Sequence, residues 1–176
     1  MKLYVARHGQ TQWNAENKIC GRTDLPLTEE GLRQARALAE KVKDLGIDHI
    51  ISSPMIRALD MAKIVSEKCG APITLDDRLM EQNYGIYDGK DRKDPGFLAN
   101  KRHFCVRYPG GESMMQMAAR LYPLLDEIKR DYADKTVLLT CHGAVCRVLR
   151  TYFVDMTNDE FFTYSPDNGE LITYEL

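Results

Sequence analysis

The stretch Leu3-Tyr4-Val5-Ala6-Arg7-His8-Gly9-Gln10-Thr11-Gln12-Trp13-Asn14 decides how the rest of the chain is read. Leu3 to Ala6 is a short apolar run with β-formers at Tyr4 and Val5, and it reads as a strand. The run gives way at once to an arginine, a histidine and a glycine. In an open α/β sheet, ligands bind beyond the carboxyl ends of the strands, so Arg7 and His8 lie where chemistry is expected. Gly9 lets the backbone turn sharply or approach a ligand closely. The guanidinium of Arg7 is a rigid fork of donors suited to phosphate or carboxylate. The imidazole of His8 can attack, or accept a proton, near neutral pH. Two strand-end surface residues that bind nothing are the alternative, and the remaining chain discriminates between these readings.

Outward from this stretch, residues 12–27 read as loop, interrupted by Asn14, Asn17, Gly21, Asp24 and Pro26. Arg22 in that loop is a candidate to lie over a substrate, or else a solvated side chain. Thr28 caps a helix with Glu29 and Glu30 in its favourable first turn. Leu32, Ala35, Ala39, Val42 and Leu45 mark its apolar face, and Gly46 ends it. Residues 47–52 read as a second strand, so the spacing predicts a parallel βαβ unit. The next helix is expected to bury Ile56, Leu59, Ala62, Val65 and Cys69. Arg57 falls in its first turn, at the same end of the sheet as His8. A cation there opposes the helix dipole unless an anion joins it, which makes Arg57 a candidate phosphate ligand. Ile73-Thr74-Leu75 is a short third strand.

A helix over about 114–131 carries Met115, Ala118, Leu121, Leu125 and Ile128 on one side, with a kink expected at Pro123. Thr136 to Thr140 is the clearest strand, and it runs into Cys141-His142-Gly143-Ala144 before another helix. A second strand therefore ends in His-Gly. Two parallel strands so ended can set two histidines around one anion. Phe161–Ser165 and Glu170–Leu176 read as two strands around Asp167-Asn168-Gly169, because Asn-Gly is a hairpin signal.

Arg7-His8-Gly9-x-Thr11-x-Trp13-Asn14 resembles the signature of the histidine phosphatase superfamily, the phosphoglycerate mutase-like enzymes. Ser52-Ser53-Pro54-x-x-Arg57-Ala58 resembles that family's second arginine motif, although Asp60 and Met61 depart from it. Leu79, Glu81, Gly85 and Gly89 match its Leu-x-Glu-x-x-x-Gly-x-x-x-Gly segment, with Tyr87 and Asp88 where Trp and Glu are common. Pro109-Gly110-Gly111-Glu112-Ser113 and Cys141-His142-Gly143 are similar to two further elements, Cys141 standing where serine or threonine is usual. The resemblance implies a phosphoglycerate mutase-like α/β fold. That is a three-layer α/β/α sandwich around a mostly parallel sheet of about six strands, one of them antiparallel. It implies that His8 becomes a phosphohistidine. Arg7 and Arg57 would clamp the phosphoryl oxygens, with Asn14 as an added donor and Gly143 and Arg22 at the substrate. His142 would stabilise the transferring group. Glu81 would protonate the leaving oxygen and then activate water; Glu112 would help orient the site. No metal or cofactor is required by this chemistry, since two arginines and a histidine supply the positive charge.

At 176 residues the chain is expected to be one domain, with residues 86–113 as a small cap. Lys90, Arg92, Lys93, Lys101, Arg102, His103 and Arg107 make that segment basic, suited to attracting an anion. Overall, 24 basic and 26 acidic residues leave a net charge of -2, which argues against a nucleic-acid polymer as partner. No apolar run spans a membrane, and the N-terminus lacks the apolar core of a signal peptide. Five widely spaced cysteines without a C-x-x-C pair read as reduced thiols in the cytoplasm. The expected partner is a small anionic phosphorylated metabolite: a phosphosugar, a phosphoserine-like compound, α-ribazole phosphate or a nucleotide. The chain is expected as monomer or homodimer.

Only about two dozen residues separate Gly85 from Pro109, where the family's mutases carry a longer insertion. This favours a phosphatase over a mutase. Two rivals are weaker. Cys141 and Arg147 fit the Cys-x5-Arg spacing of cysteine phosphatases, but that reading leaves Arg7, His8 and Arg57 idle. A non-catalytic phospho-ligand module would not need both His8 and Glu81.

Overall fold

The computed structural model describes residues 1–176. Strand β1 (Lys2–Arg7) sits between β4 (Thr136–Cys141), which it meets in parallel, and β5 (Leu171–Glu175), which it meets antiparallel. Strands β2 (His49–Ser52) and β3 (Ile73–Leu75) complete the sheet in the order β3-β2-β4-β1-β5. Side chains alternate across the central strand, as strand geometry requires. Tyr4 and Ala6 join the cluster under helices α2 (Glu29–Val42) and α3 (Ile56–Cys69). Leu3 and Val5 join the cluster under α5 (Met114–Asp131) and α6 (Gly143–Arg150). The expected three layers, with one antiparallel strand, are therefore present.

The sheet has five strands rather than about six. The expected hairpin near the C-terminus does not form. Residues Asn158–Thr163 are helix α7, started by a reciprocal cap in which Thr157 and Glu160 each satisfy the other's backbone. That cap, with Asp159 and Glu160 in the first turn, outweighs the β-formers Phe161, Phe162 and Tyr164. The chain then turns at Gly169, at a φ of 78°, and pairs with β1 instead of with its own upstream segment.

Three helices differ in detail from expectation. Residues Gln12–Ala15 form a short α1, capped by Thr11 and Asn14, inside the region read as loop. Helix α3 buries Arg57, Ala58, Met61, Ala62 and Val65 and leaves Ile56 exposed, so its inner face is turned about one residue from the expected line. Helix α5 exposes Met115 and buries Met114, Met117 and Leu124, and it continues through Pro123, which faces solvent.

Segment 86–113 holds α4 (Pro95–Lys101), N-capped by Asp94. Phe97 and Tyr108 stack at 5.6 Å and pack with Ile19, Tyr84 and Tyr87. No helix is long and apolar enough to cross a membrane.

Candidate active site

Parallel pairing of β1 with β4 puts Arg7 opposite Cys141, and so brings His8 and His142 side by side at the carboxyl edge. Their ring centroids are 5.1 Å apart. The backbone of His8 is held from both sides. Its N–H donates to the carbonyl of Cys141 at 2.9 Å, and its carbonyl accepts from Asn168 Nδ2 at 2.9 Å. Gly9 lies flat against Gly31 at the start of α2, where a Cβ on either glycine would meet backbone.

Hydrogen bonds assign the tautomers. His8 Nδ1 is 2.6 Å from the carbonyl of Gly9, which can only accept, so Nδ1 carries the proton and Nε2 the free lone pair. Arg57 Nε donates to His142 Nδ1 at 3.2 Å, so the proton of His142 is on Nε2, which donates to Ser53 Oγ at 2.8 Å. Both rings are buried. Burial, then the Arg57 and Arg7 charges, push His8 well below the usual histidine range. Burial, then Arg57 and His8, do the same for His142. Neutral imidazoles result, and a neutral His8 has an unprotonated Nε2 with which to attack.

Arg57 is wholly buried. Its Nη1 and Nη2 donate to the carbonyls of Thr23 at 3.0 Å and Gly21 at 2.7 Å. With the bond to His142, three of its five N–H groups are engaged. Arg7 donates through Nη1 to the carbonyl of Pro166, while its buried Nε has no partner. Its guanidinium lies beside Gly143, where a Cβ would make only ordinary contact at 3.5 Å, so crowding does not demand glycine there. Asn14 Oδ1 accepts from the N–H and hydroxyl of Thr11, each at 3.0 Å, leaving Nδ2 as a donor.

Glu81 is buried, and its oxygens accept from the N–H of Gln82 at 2.9 Å and of Ala144 at 3.2 Å, at the start of α6. It lines one chamber with Arg7, Arg92, Phe97, Gly143 and Arg147. Arg22 does not reach His8. Its Nε donates to the carbonyl of Glu81 at 2.7 Å, and its Nη2 is 3.5 Å from Glu112. Glu112 also pairs with Arg120 at 2.8 Å and accepts the N–H of Asn83 at 2.9 Å. Arg22, Glu112 and Arg120 thus brace the loop that carries Glu81.

The Cys141 thiol faces Cys146 at 3.6 Å in the core, and burial pushes it well above the usual thiol range. It is a poor thiolate, and Arg147 Nε is bound to the carbonyl of Tyr164 at 2.9 Å. The Cys-x5-Arg reading has no geometry to support it. Sequence reasoning missed Ser53 as the partner of His142 and Asn168 as the clasp on His8. Asn168-Gly169 was visible as a turn, but what it touches was not. Nowhere do three or more His, Cys, Asp and Glu side chains gather as a metal site would require.

Paired strand-end histidines between two arginines, with a carboxylate across the chamber, define a class. The chain belongs to the histidine phosphatase superfamily (branch 1), whose profile matches residues 3–176. A probable phosphoglycerate mutase GpmB of Yersinia pestis (strain Pestoides F) is 37% identical over 150 residues, covering 81% of this chain and 70% of that protein. Bacillus stearothermophilus YhfR superposes with a TM-score of 0.89 at 29% identity, over 99% of this chain and 91% of its own. A mycobacterial glucosyl-3-phosphoglycerate phosphatase superposes with a TM-score of 0.86 at 28% identity, over 98% of this chain and 88% of its own.

Proposed function

We propose that this chain hydrolyses a small metabolite phosphomonoester through a phosphohistidine on His8, with no metal or cofactor. The observation that carries this reading is the state of His8: neutral, anchored through Nδ1, with Nε2 unprotonated beside Arg7 and His142. In the first step Nε2 attacks phosphorus and the bond from phosphorus to the ester oxygen breaks. Glu81 acts as the general acid that delivers a proton to that oxygen. In the second step Glu81 takes a proton from water, the hydroxide attacks phosphorus, and the P–N bond breaks to release phosphate and neutral His8. Arg7, Arg57, His142 and Asn14 Nδ2 offset the charge on the equatorial oxygens. Such fixed donors in a dry site carry most of the catalysis in phosphoryl transfer. Residues 86–113 act as a cap that attracts the anion. Five free cysteines suit a reducing, cytoplasmic setting.

The name of the Yersinia relative favours a second reading, phosphoryl transfer between positions of phosphoglycerate. A mutase must exclude water while the phosphoenzyme waits, and the short cap suits that poorly. Incubation with 3-phosphoglycerate, with and without 2,3-bisphosphoglycerate, decides between them. Inorganic phosphate is the product expected. Rapid 2-phosphoglycerate formation without comparable phosphate establishes the mutase reading instead.

A further inference from the structure

We infer that Asp88 is a positioning residue for phosphoryl transfer: its carboxylate clasps the loop that aims Arg57, and through Arg57 it fixes His142. The inference rests on the phosphatase reading of the same site. Residues 20–27 make no backbone–backbone hydrogen bond, so side chains set the course of this loop. Asp88 takes hold of it at two residues. Its Oδ1 accepts from the N–H of Gly21 at 2.7 Å, and its Oδ2 accepts from the N–H and the hydroxyl of Thr23, each at 2.8 Å. The same two residues turn their carbonyls to Arg57, which donates from Nη2 to Gly21 and from Nη1 to Thr23. Arg57 Nε in turn donates to His142 Nδ1. Arg22, between the two clasped residues, donates to the carbonyl of Glu81. A single line of contacts therefore runs from Asp88 through the loop to Arg57 and on to His142.

Asp88 can act as a clasp because its own backbone is fixed. It closes the single helical turn Gly85–Tyr87, its N–H donating to the carbonyl of Gly85 at 3.1 Å, and Gly89 after it turns at a φ of 81°. The N–H of Gly89 donates to the carbonyl of Ile19 at 2.8 Å, and the N–H of Ile19 to the carbonyl of Lys90 at 2.7 Å, which ties Asp88 to the foot of the loop. Further along, the loop is joined to α3. Asp24 Oδ1 accepts the N–H of Ile56 at 2.9 Å, where Met55 offers no side-chain cap. The loop is also tightly packed: a Cβ on Gly21 would come to 2.8 Å from the Tyr84 ring and 2.9 Å from the Gln82 carbonyl. Three donors converge on Asp88, and a carboxylate can take all three because both of its oxygens accept. An amide in its place offers one oxygen and turns an NH2 group toward the remaining donors. The loop carbonyls then shift, and the fork of Arg57 shifts with them. Misplacing a transition-state donor by about 1 Å is enough to lower a rate by about 10²-fold.

The test uses D88N, R57K and the double variant, assayed with p-nitrophenyl phosphate. D88N should lose about 10²-fold in kcat with little change in KM, because the misaimed donor serves the transition state. Added to R57K it should lower kcat hardly further, since the fork it aims is already gone and residues in one network do not act additively. A carboxylate that only holds the fold would lower kcat equally on both backgrounds. A second readout needs no turnover. In protein labelled with ¹⁵N at histidine, the His142 Nδ1 signal should move in D88N toward that of an unbonded imine nitrogen, while His49 and His103 stay in place as controls. Undiminished kcat in D88N, equal losses on both backgrounds, or an unmoved His142 signal overturns the inference. Absence of phosphate release by the parent from p-nitrophenyl phosphate and from alkyl phosphates, with the His142 signal shifted in D88N, overturns the phosphatase reading and leaves the clasp standing.

Discussion

Lowering the pH from about 7.5 to about 5.5 should destabilise the fold through His8 and His142 by an amount fixed by linkage. Both rings are buried, and both sit well below the usual histidine range. In the unfolded chain each histidine returns to about 6.5. The unfolded state therefore binds a proton that the folded state refuses. The stabilisation is complete above the unfolded value and is lost as the pH falls below it toward the folded one. From about pH 7.5 to about 5.5 this amounts to about 1.4 kcal/mol for each histidine, or about 2.7 kcal/mol for the two. For a chain of this length, that is roughly 3–5 °C of melting temperature per histidine. Carboxylates titrate in part of the same window, so the comparison is between proteins. Urea unfolding is measured at both pH values for the parent, H8Q and H142Q. Each variant should lose about 1.4 kcal/mol less than the parent on acidification. An equal loss in all three proteins refutes the claim that the folded site holds the rings neutral.

Replacing Glu81 by Gln should cut the rate on an alkyl phosphate far more than on p-nitrophenyl phosphate, whose leaving group hardly needs a proton; equal losses in steady-state assays would assign Glu81 to positioning. Ser53→Ala removes the acceptor that fixes the His142 tautomer. Its kcat should fall about tenfold with little change in KM, the scale of a lost orienting bond, and a rise in KM alone would contradict that role. Arg57→Met strips donors from the carbonyls of Gly21 and Thr23. It should cost about 1–3 kcal/mol per orphaned carbonyl in urea unfolding and about 10²–10³ in kcat; intact activity in a destabilised variant would limit Arg57 to structure.

Strand ends were legible because both of their signals are local. An apolar run giving way to His-Gly occurs twice, and that pattern alone assigns His8 and His142 to one edge of the sheet. Arg57 was legible through its conflict with the helix dipole, although the face it shares was read one residue out of register. What failed was long-range. Phe161-Phe162-Thr163-Tyr164 has the composition of a strand, and only the reciprocal cap at Thr157 and Glu160 makes it helical. The last strand found its partner in β1, more than 160 residues upstream, and no local pattern encodes that choice. Arg22 was open between a substrate contact and a solvated side chain, and its bond to the Glu81 carbonyl was not legible in the sequence. Ser53 and Asn168 escaped because each acts through a single hydrogen bond across the fold.

The most direct test is to trap the reaction with a ³²P-labelled monoester, quench it in base, and map the label by mass spectrometry. Base-stable, acid-labile phosphate on His8 Nε2, absent in H8A, is the result predicted. Label on Cys141, or full turnover by H8A with none by C141S, would contradict it.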